Sequence, residues 1–121
     1  MQSHRLYSDE DGESHFEVVS TTFTPIEYAP PAPAFGLSEP TEATRYVTVR
    51  FPAGWNSGLD PTPRRQVFVV LSGRLEGEAS DGTHMSFGAG DVLLMEDTEG
   101  KGHTARAVGQ EDVLAMMIHL Q

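Results

Sequence analysis

The chain has 121 residues and no cysteine, and its formal net charge is −10 at pH 7. This length suits a single domain, and the lack of cysteine excludes disulfides and thiolate metal sites. The negative charge argues against nucleic-acid binding, which needs a positive surface. No apolar run approaches the roughly 20 residues of a membrane helix, and the N-terminus lacks the apolar stretch of a secretion signal, so we expect a cytoplasmic protein.

The N-terminal third divides into an acidic arm and a proline-rich segment. Residues 1–15 carry four acidic side chains around Gly12, which predicts a solvated, flexible arm. Residues 16–43 follow, and the first eight of them are rich in β-branched and aromatic residues, as in a strand. Four prolines between residues 25 and 33 exclude a helix or a central strand, because proline lacks an amide donor and has a fixed φ. We expect an extended strap along the body of the domain.

Residues 44–121 show strand patterns throughout. Apolar and polar residues alternate over 45–51, and 66–71 is nearly all apolar, as in a strand covered on both faces. Residues 75–79 alternate again, and Asp81-Gly82 predicts the turn of a hairpin. Further short strands are expected at 85–87, 92–95, 103–108 and 113–120. Short strands with frequent turns and no helical period predict an all-β sandwich or barrel.

Two glycines in this region frame a set of polar residues. The spacing is Gly-x5-Asp-x-Thr-x3-Gln-x6-Gly, with Gly54 and Gly73 enclosing Asp60, Thr62 and Gln66. It equals, residue for residue, the spacing of the first motif of the cupin family, Gly-x5-His-x-His-x3-Glu-x6-Gly. The chain therefore resembles a cupin in which the two histidines and the glutamate are replaced.

A second run resembles the second cupin motif, Gly-x5-Pro-x-Gly-x2-His-x3-Asn. It starts at Gly90 and has Glu96 and Thr98 where the family has its proline and second glycine. The histidine position falls on Lys101 by strict count, or on His103 if the loop is two residues longer than in the family. We prefer His103, because it opens the strand 103–108 as the family histidine does. The resemblance covers residues 44–120, the cupin barrel. It implies a double-stranded β-helix, a jelly-roll barrel with a ligand cavity lined by side chains from both motifs.

The resemblance also implies partners. Many cupins pair as homodimers through exchanged N-terminal strands, and residues 16–23 are the candidate strand here. The chain resembles, in particular, a group of small cupins that share a Pro-Arg-Arg-Gln run, here at 63–66, and this group implies no particular reaction. We expect a homodimer with a small-molecule ligand, and neither nucleic acid nor a membrane as partner.

Strand alternation places every second residue of the first motif on one face. We therefore expect a polar row to line the cavity, made of Asp60, Thr62, Arg64 and Gln66. A buried row this polar needs partners or water, and Asp60 with Arg64 is a candidate internal pair. The alternative is that the row lies at a solvated mouth of the barrel.

His103 is the candidate for moving a proton, because neutral imidazole exchanges protons near physiological pH. Its alternative role is that of a structural histidine. Of the two acidic residues before it, Glu96 and Asp97, one is expected to face the cavity and orient His103, and the other to be solvated. We assign the catalytic set to His103, Asp60 and Glu96, and the ligand-binding set to Thr62, Arg64 and Gln66.

We expect no metal cofactor. Asp60 and His103 are suitable donors and Gln66 is a weak one, whereas a stable zinc, iron or manganese site usually needs three or more protein ligands. A third ligand would have to be recruited, from His15 or Glu96. Of the other histidines, His84 is expected to be exposed and His119 to lie in the core or at its rim.

Three functions follow from these residues. The first is a metal-independent enzyme of the isomerase, epimerase, dehydratase or cyclase type, which moves a proton on a small polar or carboxylate substrate held by Arg64. The second is a ligand-binding module without catalysis. The third is a metal-dependent oxygenase with an atypical ligand set.

Overall fold

Alternating and β-branched residues give the chain eleven strands and no helix, and the computed structural model describes all residues from 1 to 121. In chain order the strands are β1 (Gln2–Ser8), β2 (Ser14–Ser20), β3 (Thr24–Ile26), β4 (Phe35–Leu37), β5 (Ala43–Phe51), β6 (Gln66–Ser72), β7 (Leu75–Ala79), β8 (His84–Phe87), β9 (Val92–Glu96), β10 (His103–Ala107) and β11 (Val113–Leu120). The all-β prediction is confirmed. A helix long and apolar enough to cross a membrane does not occur.

The strands form two facing sheets and a small ribbon. The larger sheet has six strands in the order β2-β1-β9-β6-β11-β5, and the smaller has three in the order β10-β7-β8. Strand β1 runs parallel to β9, and the other neighbours are antiparallel. The two sheets are not closed into one continuous barrel.

The core lies between the two sheets and follows the alternation of the strands. In β6 and β9 every second residue is buried, and in β7 the buried positions are Leu75, Gly77 and Ala79. The core cluster combines side chains from both sheets, among them Leu6, Phe68, Val70, Leu75, Phe87, Leu93 and Val113. The hairpin predicted at Asp81-Gly82 is confirmed, since it joins the antiparallel strands β7 and β8.

The N-terminal residues differ from the prediction of a flexible arm. Gln2–Ser8 is a strand inside the larger sheet, paired with β2 on one side and β9 on the other. Leu6 is only 1% exposed and belongs to the core. The acidic residues at 9–13 occupy the solvated turn between β1 and β2. Their charge correctly indicated an exposed segment, but this segment is the turn and does not include the strand before it. Strand β2 pairs with β1 of its own chain.

The proline-rich segment, predicted to be an extended strap, forms a two-stranded ribbon separate from the two larger sheets. Residues 22–36 are all exposed, and within this part of the chain β3 and β4 pair only with each other. Prolines remove the amide donors that a neighbouring strand would need, so only a three-residue ribbon forms. Four large apolar side chains stay exposed there, namely Phe23, Ile26, Tyr28 and Phe35.

The segment between β5 and β6 brings the two sequence motifs together. It runs antiparallel to β10, with the amide of Ala107 donating to the carbonyl of Trp55 at 2.8 Å. Further along, the backbones of Asp60 and His103 exchange two hydrogen bonds of 3.0 Å each. The first motif is thereby fixed beside the histidine of the second.

Candidate functional site

A cavity of about 180 Å³ lies between the two sheets. Its walls are mostly apolar and include five aromatic side chains, Phe16, Phe51, Trp55, Phe68 and Phe87. Polar residues of both motifs also line it, namely Asp60, Thr62, Gln66 and His103. The structure therefore joins four of the residues singled out in the sequence at one cavity.

A chain of three polar side chains lies at this cavity. Nδ1 of His103 is 2.5 Å from Oδ2 of Asp97, and the hydroxyl of Thr62 donates to Oδ1 of Asp97 at 2.6 Å. Asp97 is completely buried and both of its carboxylate oxygens are hydrogen-bonded. Its partner His103 keeps 15% of its side chain exposed. Asp97 thus holds the imidazole in place and leaves the other ring nitrogen, Nε2, for a ligand.

The backbone explains why Asp97 points inward. Leu93 and Met95 face the core from β9, and Asp97 continues this alternation just past the end of the strand. The amide of Thr62 also donates to the carbonyl of Asp97 at 3.0 Å, which fixes the two residues against each other. Alternation at 93 and 95 is a sequence signal that points to position 97, but Asp97 lies past the end of β9, where its backbone is held by Thr62 from the other motif.

Glu96 does not orient His103, which corrects its assignment to the catalytic set. It lies on the opposite face from Asp97 and forms ion pairs with Arg5 and Arg65. Burial opposes ionisation of this carboxyl, but the hydrogen bonds from the two arginines outweigh that effect and lower the pKa of Glu96. Through its ion pair with Arg5, Glu96 of β9 binds the neighbouring strand β1, and it does not line the cavity.

Arg64 does not line the cavity either, so the predicted polar row is interrupted. The chain bends at Pro63 and Arg64, and β6 begins only at Gln66. Because the alternation of a strand does not hold across this bend, Arg64 turns outward and is exposed. There its positive charge contributes, after burial, to lowering the pKa of His119.

Asp60 and Gln66 line the cavity in different environments. Asp60 is exposed at the mouth, and the ring of His103 is hydrogen-bonded to Asp97 and not to Asp60. Gln66 is only 5% exposed, and the single polar contact of its side chain joins Nε2 to the sulfur of Met95 at 3.7 Å. Gln66 therefore presents a nearly unpartnered amide to the cavity.

Cupins as a family imply a metal, and the donor residues here do not fit one. No group of three or more histidine, aspartate or glutamate side chains is arranged to hold a metal ion. Nδ1 of His103 and the hydroxyl of Thr62 are both bonded to Asp97, and the oxygens of Asp97 are both used by these two groups. His15, the other candidate for recruitment, does not line the cavity.

His15 instead joins two turns at the surface. Its Nε2 is 2.6 Å from a carboxylate oxygen of Asp9 in the β1–β2 turn, and its Nδ1 is 2.7 Å from Asp81 in the β7–β8 turn. These hydrogen bonds, the one with Asp9 being the stronger influence, raise the pKa of His15 above its ordinary value. The protonated imidazole is thus a link between the N-terminal hairpin and the smaller sheet.

Replacing His15 with glutamine is expected to destabilise the protein more at about pH 5.5 than at about pH 9. Because folding raises the pKa of His15, the protonated ring stabilises the fold fully at pH values below the ordinary pKa of imidazole. This stabilisation is lost as the pH rises through the raised pKa of His15. Urea denaturation of both proteins at the two pH values measures it. His84→Gln is the control, since His84 is exposed and lies 3.7 Å or more from its acidic neighbours. An equal loss at both pH values would contradict the link.

Known structures resemble this chain. A Cupin 2 conserved barrel domain protein from Salinispora arenicola is 20% identical, with a TM-score of 0.53 over 70% of this chain and 71% of that one. A cupin domain from Bordetella pertussis is 20% identical, with a TM-score of 0.51 over 68% and 85% of the two chains. Drosophila melanogaster CENP-C bound to CAL1 is 12% identical, with a TM-score of 0.52 over 82% and 79%. No protein-family model and no curated protein sequence matches the chain.

These similarities establish the fold. The chain has the cupin fold, a jelly-roll arrangement of two facing sheets as the double-stranded β-helix requires. The fold implied by the two motifs is therefore confirmed. At 20% identity or less the similarity concerns the fold alone, so the function has to be argued from the cavity.

Proposed function

We propose that this cupin-fold chain binds a small molecule in its cavity and transfers a proton on it through His103. The observation that carries the proposal is the contact of 2.5 Å between Nδ1 of His103 and the buried carboxylate of Asp97, at the wall of a mostly apolar cavity. A base held by a buried carboxylate, beside a cavity of molecular size, is the arrangement that proton-transfer catalysis needs.

The roles of the residues follow from this geometry. With Asp97 as the carboxylate, Nδ1–H of His103 donates to it, and the neutral ring presents Nε2 as the base. Nε2 would remove a proton from a carbon next to a carbonyl, with the electron pair of the C–H bond moving into the carbonyl to give an enolate. The resulting imidazolium, stabilised by Asp97, would return the proton to another carbon or face. Thr62 would hold Asp97, and Gln66 would donate to the developing oxyanion.

Deuterium exchange tests this proposal without knowledge of the natural substrate. In D₂O, the wild-type protein is expected to incorporate deuterium beside the carbonyl of at least one compound in a panel of small aldehydes and ketones, measured by NMR. His103→Gln is expected to lower that rate by about 100-fold or more, since it removes the base. His84→Gln serves as the control and should keep the wild-type rate. An unchanged rate in His103→Gln would remove His103 from the mechanism.

The second candidate function is a ligand-binding module without catalysis. It is favoured by the walls of the cavity, where apolar side chains predominate and His103 is the only histidine. The CENP-C chain whose fold resembles this one was solved bound to another protein, CAL1. A compound that binds in the cavity, while no compound of the panel exchanges deuterium, would decide for this alternative.

Two other predictions from the sequence concern a metal-dependent oxygenase and a homodimer. The metal-dependent oxygenase has no donor set in this structure that supports it, because no group of three or more histidine, aspartate or glutamate side chains is arranged to hold a metal ion. The homodimer stays a prediction that rests on the resemblance to cupins.

A further inference from the structure

We propose that the ligand of the cavity is a neutral, single-ring molecule that carries one hydroxyl or carbonyl group, and not the carboxylate expected from the sequence. The inference rests on the proposed function, since it concerns the same cavity. It is carried by three observations on that cavity: its charge, its size and the position of its polar groups.

The first observation is that no arginine or lysine lines the cavity. The expected carboxylate anchor, Arg64, is exposed on the outside. His103 is the one lining residue that can carry a positive charge, and it is already paired with Asp97, so that together they add no net positive charge. A carboxylate or phosphate here would lose its hydration and gain no compensating cation, which is costly.

The second observation concerns size and walls. The cavity measures about 180 Å³, whereas an apolar cavity of roughly 150 Å³ holds one molecule of benzene. One ring with one or two small substituents therefore fills the cavity, whereas a sugar phosphate or a nucleotide would have to extend out of its mouth. Aromatic walls such as Phe51, Trp55 and Phe68 suit a flat apolar ring, because aromatic pairs prefer tilted or edge-on contacts of the kind these side chains already make with one another.

The third observation is that polar groups are few and left open for a ligand. Gln66 is 5% exposed, and the one hydrogen bond of its side chain runs from Nε2 to the sulfur of Met95, a weak acceptor, so the amide keeps hydrogen-bonding capacity for a ligand. Nε2 of His103 has no partner in the chain, since only Nδ1 is bonded. Two carboxylates line the cavity as well: Asp60 is exposed to solvent at the mouth, and Glu76 accepts a hydrogen bond of 3.2 Å from Arg106, which is not a lining residue. A hydroxyl or carbonyl group on the ring would find free hydrogen-bonding capacity at Gln66 and at His103, which both line the cavity.

Four matched probes test the charge of the ligand, namely p-cresol, 4-methylbenzoate, 4-methylbenzylamine and toluene, with titration calorimetry at about pH 7. We expect p-cresol to bind at least about tenfold more tightly than either charged probe. The amine is a control for the net charge of the whole chain. That charge is negative and would by itself make a cation bind more tightly than p-cresol or 4-methylbenzoate. Tighter binding of the benzoate or the amine would overturn the inference and leave small-molecule binding standing. Binding of none of the four would overturn the single-ring inference, whereas the proposed function is decided by the deuterium exchange.

The variant Gln66→Leu tests the polar end of the site. Because leucine keeps approximately the volume and removes the amide, we expect p-cresol to lose its advantage over toluene while toluene still binds. Retained toluene binding shows that the variant is folded and that the cavity is intact. An unchanged ratio of p-cresol to toluene affinity would show that Gln66 does not recognise the ligand, and would overturn its role.

Discussion

Replacing Gly102 with alanine is expected to lower the free energy of unfolding by about 4 kcal/mol or more. Gly102 has a φ of +75°, and a Cβ atom there would lie 2.1 Å from the carbonyl carbon of Asp60 and 2.2 Å from the nitrogen of Pro61. These are backbone atoms, which cannot move aside without breaking the two hydrogen bonds between Asp60 and His103. The substitution therefore separates the two motifs that form the site. Urea denaturation with linear extrapolation measures the loss.

Gly109→Ala is the matched control for this experiment. Gly109 has a φ of +93°, and an added Cβ would meet nothing within 4 Å. It shares the backbone strain of Gly102 without the collision, so we expect a loss of roughly 1–2 kcal/mol. Equal losses in the two variants would show that the close approach of Gly102 to Asp60 is not what stabilises this part of the fold.

Replacing Asp97 with alanine is expected to cost about 3 kcal/mol of stability. The substitution leaves the hydroxyl of Thr62 and Nδ1 of His103 without partners inside the protein, and adds a void where the fully buried carboxylate stood. The same denaturation measurement applies. Glu96→Ala, next in the chain, is the control, since Glu96 is partly exposed and paired with surface arginines, an arrangement that typically contributes up to about 1 kcal/mol.

Amide variants of the same two residues separate the competing assignments of the orienting residue. If Asp97 holds His103, the nitrogen chemical shifts of the His103 ring should change in Asp97→Asn, because an amide does not accept the Nδ1 proton as a carboxylate does. The ring should be unaffected in Glu96→Gln. A larger effect of the Glu96 substitution, on either stability or the ring, would restore the original assignment of Glu96.

Most of the secondary structure followed from the sequence. The resemblance of the Gly54 to Gly73 spacing to the first cupin motif implied the fold. Alternation over 75–79 and the Asp81-Gly82 turn predicted β7 and β8. Such patterns succeed because they depend on neighbours along the chain, and the period of a strand is two residues whatever it packs against. The N-terminal strand was missed because its only fully buried residue, Leu6, is a weak local signal beside an acidic turn.

The site was only partly determined by the sequence. The sequence indicated His103, Asp60, Thr62 and Gln66, and the structure places all four at one cavity. It did not indicate that the chain bends before Gln66 and turns Arg64 outward, nor that Asp97 and not Glu96 meets His103. Both facts depend on how segments far apart in the chain pack together, since the bend and the loop after β9 are held by backbone hydrogen bonds between the motifs. Local patterns specify which residues can do chemistry, and tertiary contacts decide which of them face the same space.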